Sequence, residues 1–538
     1  MKGLNFYVHK PIQESAPNRV DIACFVGLVS LRCGKLPTEV ATWLQHQGWL
    51  KADNHLSSPY HRNEAMDLLD VPVPIEDWDS FDALFAWDKR YFGGEKGITY
   101  LGAAVRSFFA QGGRRCYIIR VGDPLPFNAA RPEREALLAK LIPGYPMVVS
   151  SNKSDRTSWQ GIGHLFGLPD VSFLSLPDLP DLTQSEQERI PSEPTQIQAP
   201  PEQFVVCSEP SSTPPADNVI GRIPAPRCDE LGYCQWAQAV NVAANFIATH
   251  RREVQLVASL PLPEKRLSAS DNMLRYIHQK HLLSGDIEKS HTKLCADNPH
   301  EFRSVASAFV QLCYPWVRTI AARRIPEELE TPEGALIGLL AKNALTRGTF
   351  RSATKLQQRD IVDLSPVLRQ EQIHGRHPQA TSDASPGAVL IDRVTLFSHT
   401  PEGIKMISDV TTSNDVQYRP ASINRLFSLI IRAARRIGEE FVFESSGEAL
   451  WSRLRDLMSD LLLTLYKQGG LRGTTPADAF HVRCDRSTMT QHDIDMGRVI
   501  AIIQFDPAAS IETMNVVLTM DEGSHVSLSS LGIQEDAA

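Results

Sequence analysis

Thr99-Tyr-Leu-Gly-Ala-Ala-Val-Arg-Ser-Phe-Phe-Ala-Gln-Gly-Gly-Arg-Arg-Cys-Tyr-Ile-Ile-Arg-Val121 carries two hydrophobic periods in succession. Leu101, Val105, Phe108 and Phe109 recur at helical spacing, Gly112-Gly113 stops the helix, and Cys116 to Val121 reads as a buried strand. A helix that turns through two glycines into an apolar strand is a unit of an α/β domain. Upstream, Ile22 to Val29 is another continuous apolar strand, and the segment from about 38 to 92 mixes Trp43, Trp49, Trp78 and Trp87 with turn residues, which suggests a small irregular subdomain. Downstream, Leu165 to Leu176 gives a helix end and a strand closing on Pro177, and 233–258, 301–323 and 334–346 read as helices. Between 177 and 226 lie 11 of the 36 prolines, among Ser, Gln and Glu, a composition that favours extended, solvated backbone.

The C-terminal third is the most regular. From Asn424 to Ile437, Leu426, Ile430, Ala433, Ala434 and Ile437 share one helical face, while Arg425, Arg432 and Arg436 line the other, extended by Arg419 and Arg435. Ser445 and Glu448 have capping-box spacing ahead of a helix running through Leu450, Trp451, Leu454, Leu457, Met458, Leu461, Leu462 and Leu465 to Gly469-Gly470. Strands are expected over Ala479 to Cys484, Arg498 to Phe505 and Ile511 to Met520, followed by a loose polar tail.

With 538 residues the chain is too long for one continuous core, and 42% hydrophobic, 22% charged and 7% aromatic residues mark an ordinary globular composition. The formal charge of -8 has the wrong sign for a general nucleic-acid coat, so any basic surface must be local. The nine cysteines are scattered without a CxxC pair, which reads as reduced thiols rather than a disulfide framework or zinc ribbon. No stretch approaches the roughly 18 apolar residues of a membrane helix.

Motifs for catalysis are missing. Gly161-Ile-Gly163-His-Leu-Phe-Gly167 lacks the Lys-Ser/Thr of a phosphate loop and the spacing of a dinucleotide fingerprint, so a packing or turn role is expected. Asp493-Ile-Asp495-Met-Gly497 opens like a calcium loop, but Gln504 stands where the bidentate Glu belongs, and a strand-entry turn is expected instead. His164, His481 and His492 stand in no acid–base or metal-ligand spacing, and neither HExxH nor GxSxG occurs. No catalytic, cofactor-binding or metal-ligating residue is assigned. The arginine stripe has a stronger case, because residues 417–438 hold five Arg and no Asp or Glu.

Several separated segments resemble the tail sheath proteins of contractile phages and related contractile injection systems. Ala104-Val105 through Phe108-Phe109, Gly112-Gly113 and Cys116-Tyr117 to Arg120-Val121 is similar to the family's helix, double-glycine turn and strand. Tyr314-Pro315-Trp316-Val317, Thr331-Pro332-Glu333-Gly334 and Arg347-Gly348 resemble its central segment, with the usual proline-proline-serine-glycine altered. Phe441-Val442-Phe443-Glu444, Leu450-Trp451, Gly470-Leu471-Arg-Gly473, Ala479-Phe480-His-Val482-Arg483-Cys484-Asp485 and the 493–497 segment follow in family order.

The resemblance implies a multidomain α/β chain: a subtilisin-like middle domain without the catalytic triad, and a C-terminal α+β sheath domain with strand-exchanging terminal arms. The expected organisation is an N-terminal linking arm at 1–20, a partly branch-specific subdomain at 21–96, and an α/β sheath domain at 97–400 with its proline-rich excursion at 177–226. A C-terminal sheath domain at 401–520 and a flexible tail at 521–538 follow. Phe6, Tyr7, Val8, Val516, Val517 and Leu518 are the expected inter-subunit arm strands, and Arg425, Arg432, Arg435 and Arg436 the expected tube-contact face. The implied function is structural and non-enzymatic: a subunit polymerising as stacked six-fold rings around an inner tube, contracting to drive that tube through a target envelope. Its implied partners are itself, the inner tube protein, and baseplate and cap proteins, with no cofactor, nucleic acid or membrane insertion. Assembly is expected in the cytoplasm, as part of a phage tail or tail-like particle. The alternatives are a specialised sheath paralogue at the baseplate or cap end and, more distantly, an α/β hydrolase with dispersed catalytic residues.

Overall fold

The computed structural model describes residues 19–32, 36–50, 67–92, 94–186, 219–264, 305–354, 356–368, 388–441, 444, 447–508, 514–520 and 526–529. The chain divides into two compact units, one of residues Asp21–Asn424 and one of Met1–Val20 with Arg425–Ala538. Residues 21–96 lie in the larger unit, and the boundary between the units falls after Asn424.

The elements that organise the larger unit are, in chain order, β1 (Ala23–Leu28), β2 (Pro72–Ile75), α1 (Tyr100–Gln111), β3 (Cys116–Gly122), β4 (Phe173–Ser175), α2 (Glu230–His250) and β5 (Gln255–Ser259). They continue with β6 (Val310–Tyr314), β7 (Trp316–Thr319), α3 (Glu333–Thr346), β8 (Ile361–Ser365), β9 (Val394–Thr400) and β10 (Gly403–Met406). Eight strands form one sheet in the order β10-β9-β6-β5-β4-β1-β3-β2. From β3 to β9 the pairing is parallel, and β2 and β10 close the two edges antiparallel. Because helices cover such a sheet on both faces, its central strands need no polar side: every residue of β1, β4, β5 and β6 is buried.

The opening stretch folds as its pattern predicts. The Thr99 hydroxyl accepts from Gly102 N–H at 3.1 Å to start α1, and Gly112, at φ 108°, ends it in the left-handed region. Helix α3 lies against α1 so closely that a Cβ on Gly334 would stand 2.0 Å from the Ala104 carbonyl oxygen, and one on Gly338 2.4 Å from that of Phe108. Both positions therefore have to be glycine for the two backbones to touch.

One expected helix is absent. Residues 310–319 form the strands β6 and β7 instead of part of a 301–323 helix, because Pro315 interrupts a short run rich in Val, Leu, Tyr and Trp that packs on both faces. The 233–258 expectation holds as α2 up to His250, after which the chain turns into β5. Cys24, Cys116, Cys228, Cys313 and Cys484 are free and buried, whereas Cys234 is disulfide-bonded, which corrects the all-thiol reading.

In the smaller unit the chain follows α4 (Ala421–Glu440), α5 (Glu448–Lys467), β11 (Phe480–Arg483), β12 (Val499–Phe505), β13 (Met514–Met520) and β14 (Val526–Ser529), with the start of α4 still in the larger unit. The four strands pair antiparallel in that order. Leu450, Trp451, Leu454, Met458, Leu462 and Leu465 form the buried face of α5, and Phe441, Cys484, Met489 and Val499 share a core cluster with the first three. Gly447 is the N-cap residue of α5, and Ser445, the first residue of the expected Ser445–Glu448 capping box, lies outside the described residues. The tail expected to be loose from 521 onward contributes β14, whose Val-Ser-Leu-Ser alternation has strand period.

Candidate functional site

In open α/β sheets ligands bind beyond the carboxyl ends of the strands, where the strand order reverses. Here that place is at β1, whose neighbours β3 and β4 both follow it in the chain. The chain fills it with its own side chains. Asp178, buried, accepts from Leu28 N–H at the end of β1 (2.7 Å) and from Leu101 N–H in the first turn of α1 (3.3 Å). Arg90 and Asp181 form a buried ion pair at 2.8 Å beside it.

Two glutamates continue the arrangement. Glu333, the first residue of α3, is held by the Ser175 hydroxyl at the end of β4 and by Ser259 N–H (2.7 Å) at the end of β5. Glu330 accepts from the Ser107 hydroxyl of α1 at 2.7 Å, while its backbone exchanges two hydrogen bonds with Val317 of β7. Both helix N-termini thus meet a carboxylate, the favourable sign for the helix dipole. Burial disfavours the charged forms and pushes the carboxyls of Asp178 and Glu330 up to about 7, against the hydrogen bonds that pull them down, and it raises Glu333 too.

Such an arrangement fastens elements together. The Ser107 and Ser175 hydroxyls are committed to carboxylates, and Ser259 lies 3.8 Å from the Cys313 thiol, whose ionisation burial pushes far upward. None of these atoms is open to solvent. Among the described residues no group of three His, Cys, Asp or Glu is placed to hold a metal ion.

The other sequence candidates resolve into structural roles. Gly161–Gly167 is a 3-10 turn in which Gly161 N–H donates to Asp70 Oδ1 at 2.9 Å and His164 Nε2 lies 3.2 Å from the same oxygen. An anion does sit there, but it is the chain's own carboxylate. Asp493 caps a short helix over Gln491–Asp495, accepting from Thr490 N–H and its hydroxyl, so the expected turn is helical and its carboxylate is already used. His481 and His492 are exposed on β11 and on that short helix.

The arginine face is divided by the structure. Leu426, Ile430, Ala433 and Ala434 are buried as the helical period predicts, but Arg425 and Arg432 are buried as well. Arg435 is half-buried and Arg436 exposed, so the expected continuous charged stripe is not an open surface. Arg432 Nη1 donates to the Arg19 carbonyl at 3.1 Å, tying the N-terminal stretch to α4. Of the expected arm strands, Val516, Val517 and Leu518 lie in β13, opposite Ile503, Ile502 and Ala501, whereas Phe6, Tyr7 and Val8 lie outside the described residues. The buried carboxylates Asp178, Glu330 and Glu333 were not singled out by sequence reasoning; the available signal was an acid within three residues of a fully apolar strand or at the first turn of an apolar helix.

No family model matches the sequence, and no curated protein matches it. Solved structures do. A chain of the anti-feeding prophage baseplate in its contracted state is 15% identical, with 99% of this chain and 98% of that one covered at a TM-score of 0.54. A chain of the six-fold symmetrised anti-feeding prophage baseplate is 16% identical, covering 95% and 97% at 0.52. The anti-feeding prophage helical sheath in its contracted state is 15% identical, again over 95% and 97%, at 0.50. At these identities the likeness is one of fold, and over nearly its whole length this chain has the contractile tail sheath fold.

Proposed function

We propose that the chain is a structural subunit of a contractile sheath, polymerising as stacked six-fold rings around an inner tube and shortening to drive that tube through a target envelope. The observation that carries the reading is the near end-to-end match of fold with a helical sheath in its contracted state. The filled carboxyl edge agrees with a scaffold rather than an enzyme, since the reactive groups found there are buried and paired.

In this reading the middle unit is a subtilisin-like α/β body without a triad, and the smaller sheet is the exchange point. A four-stranded sheet whose last two strands come from the chain's end can trade those strands with a neighbour at little cost, because each backbone hydrogen bond lost in one copy is remade in the next. Phe6 to Val8 would enter the same mesh, led there from Arg19 on α4. Such contacts are head-to-tail and propagate. The tube contact falls to Arg436 with Arg435, the two arginines of the face that keep exposed surface. The energy of contraction is conformational, held behind a barrier and released subunit by subunit. Assembly would take place in the cytoplasm, with baseplate and cap proteins at the two ends.

A second reading, a specialised paralogue at the baseplate end, is favoured by the two baseplate structures among the matches. Negative-stain microscopy and sedimentation of the purified full chain test both. Hollow tubes with a helical repeat are expected, shortened in number by deletion of residues 1–20; particles in which this chain forms a single ring would establish the paralogue, and a chain that stays monomeric even when co-expressed with its tube protein overturns both.

A further inference from the structure

At the amino end of the parallel sheet, where α1 and α3 terminate side by side, cations gather. Lys342 lies across the end of α1, its Cδ 3.3 Å from where a Cβ on Gly112 would stand. Gln111 clasps the backbone of Arg359, donating to its carbonyl at 2.5 Å and accepting from its N–H at 3.0 Å. At the end of α3, Asn343 accepts from Arg347 N–H at 2.8 Å and donates to the Arg351 carbonyl at 2.6 Å. Arg114 is exposed just beyond Gly112-Gly113. These backbone ties fix Arg114, Lys342, Arg347, Arg351 and Arg359 at one end of one helix pair.

Helix dipoles explain only part of this. Two helix C-termini offer about one negative charge between them, and Asp360 is the one carboxylate in the segments that carry the five cations. Asp409 also reaches this segment, accepting from Ala353 N–H at 3.4 Å; with Arg351 set aside, Arg114, Lys342, Arg347 and Arg359 still leave a local positive excess on a protein whose net charge is -8. Arg114, Lys342, Arg347 and Arg359 form no ion pair with the described residues, and Arg347 Nη1 is buried without a hydrogen-bond partner. By contrast Arg115, next in sequence, is accounted for: it donates to the Tyr117 hydroxyl, which donates to Asp170.

We propose that this basic end is the docking surface for the acidic, proline-rich segment 187–218 of a second copy of the chain. That segment holds Glu188, Glu193, Glu202, Glu209 and Asp217 against Arg189 alone, so its charge complements the patch in sign. It leaves and rejoins the fold at the opposite end of the sheet. Ser185 is bonded to the Arg227 carbonyl, and Arg227 pairs with Leu262, which follows the carboxyl end of β5. The patch lies at the amino end of β3, some seven residues or about 23 Å away along a strand. An overhang at one end and its receptor at the other make a head-to-tail contact, which suits the proposed polymer and rests on that reading.

The test uses a labelled peptide of residues 186–218 and, as receptor, the dilute full chain carrying Glu188→Gln, Glu193→Gln, Glu202→Gln and Glu209→Gln, so that its own segment does not compete. Fluorescence anisotropy should show binding that weakens steadily between about 50 and about 300 mM salt and drops by about tenfold or more on adding Arg114→Glu, Arg351→Glu and Arg359→Glu. No binding, or equal binding to the charge-reversed receptor, overturns the proposal. Tighter capture of a single-stranded oligonucleotide of equal charge would assign the patch to nucleic acid instead. If the unassembled chain with its native segment excludes the peptide while the neutralised receptor takes it, the segment closes on its own copy and the contact between copies falls. Tube formation by the wild-type chain is scored separately by microscopy, so loss of the sheath reading and loss of this contact give different results.

Discussion

The two sheets of this protein solve the problem of strand edges in opposite ways. The eight-stranded sheet ends in antiparallel β2 and β10, has central strands buried on both faces, and is bolted to α1 and α3 by two buried carboxylates, Asp178 and Glu333. The four-stranded sheet of the smaller unit is built from β11, β12 and the last two strands of the chain, and it relies on one helix, α5, for much of its cover. One sheet has an antiparallel strand of its own unit at each edge. The other adds β13 and β14 by antiparallel pairing, the strands that the proposed exchange would trade.

The contrast can be broken most severely from the larger unit. Gly334→Val places branched carbons where a single Cβ would already be 2.0 Å from a backbone oxygen, so α1 and α3 must separate. A loss of more than ~3 kcal/mol is expected, read as an early unfolding transition by circular dichroism, and a melting profile equal to wild type would show that the helices are not held at that distance. Trp451→Ala removes the largest side chain from the smaller core and should cost that unit about 3 kcal/mol while leaving the larger one intact. Limited proteolysis is the check: the cuts gained relative to wild type are expected within Met1–Val20 and Arg425–Ala538, and an equal gain in both units would mean that they do not unfold separately.

A smaller effect sharpens the comparison by pH. Burial raises the Asp178 and Glu330 carboxyls to about 7, so the folded chain retains protons that the unfolded chain has already released. The contribution of these two groups to the stability of the larger unit is therefore fully present below about pH 4, falls as pH rises towards about 7, and is flat beyond that. Glu330→Gln keeps an acceptor for the Ser107 hydroxyl without the proton, and should flatten that slope and raise neutral-pH stability by on the order of 1 to 2 kcal/mol. Urea midpoints at acid and neutral pH measure it; an unchanged slope would show that Glu330 is ionised in the folded chain throughout.

Long periodic segments were legible in the sequence. The helix-to-strand unit at 100–122, α3, α4 and α5 stand where their apolar spacing puts them, because each has enough turns for the period to outweigh local composition. The 310–319 region was not, since a short apolar run has the same look in a buried strand as in a buried helix. A helical wheel also reports which residues share a face but not what covers it, which is why Arg425 and Arg432 were read with Arg436 although they are buried. The acids at the carboxyl edge were invisible for a different reason: Asp178, Glu330 and Glu333 come from separate stretches and acquire meaning only when parallel pairing brings the ends of β1, β4 and β5 together.

The bond from Arg432 to the Arg19 carbonyl has a mechanical consequence. It brings the leading stretch of the polypeptide into the same compact unit that holds the last strand, β14. A pull applied between these two ends is borne within the smaller unit, and the eight-stranded sheet is out of the line of tension.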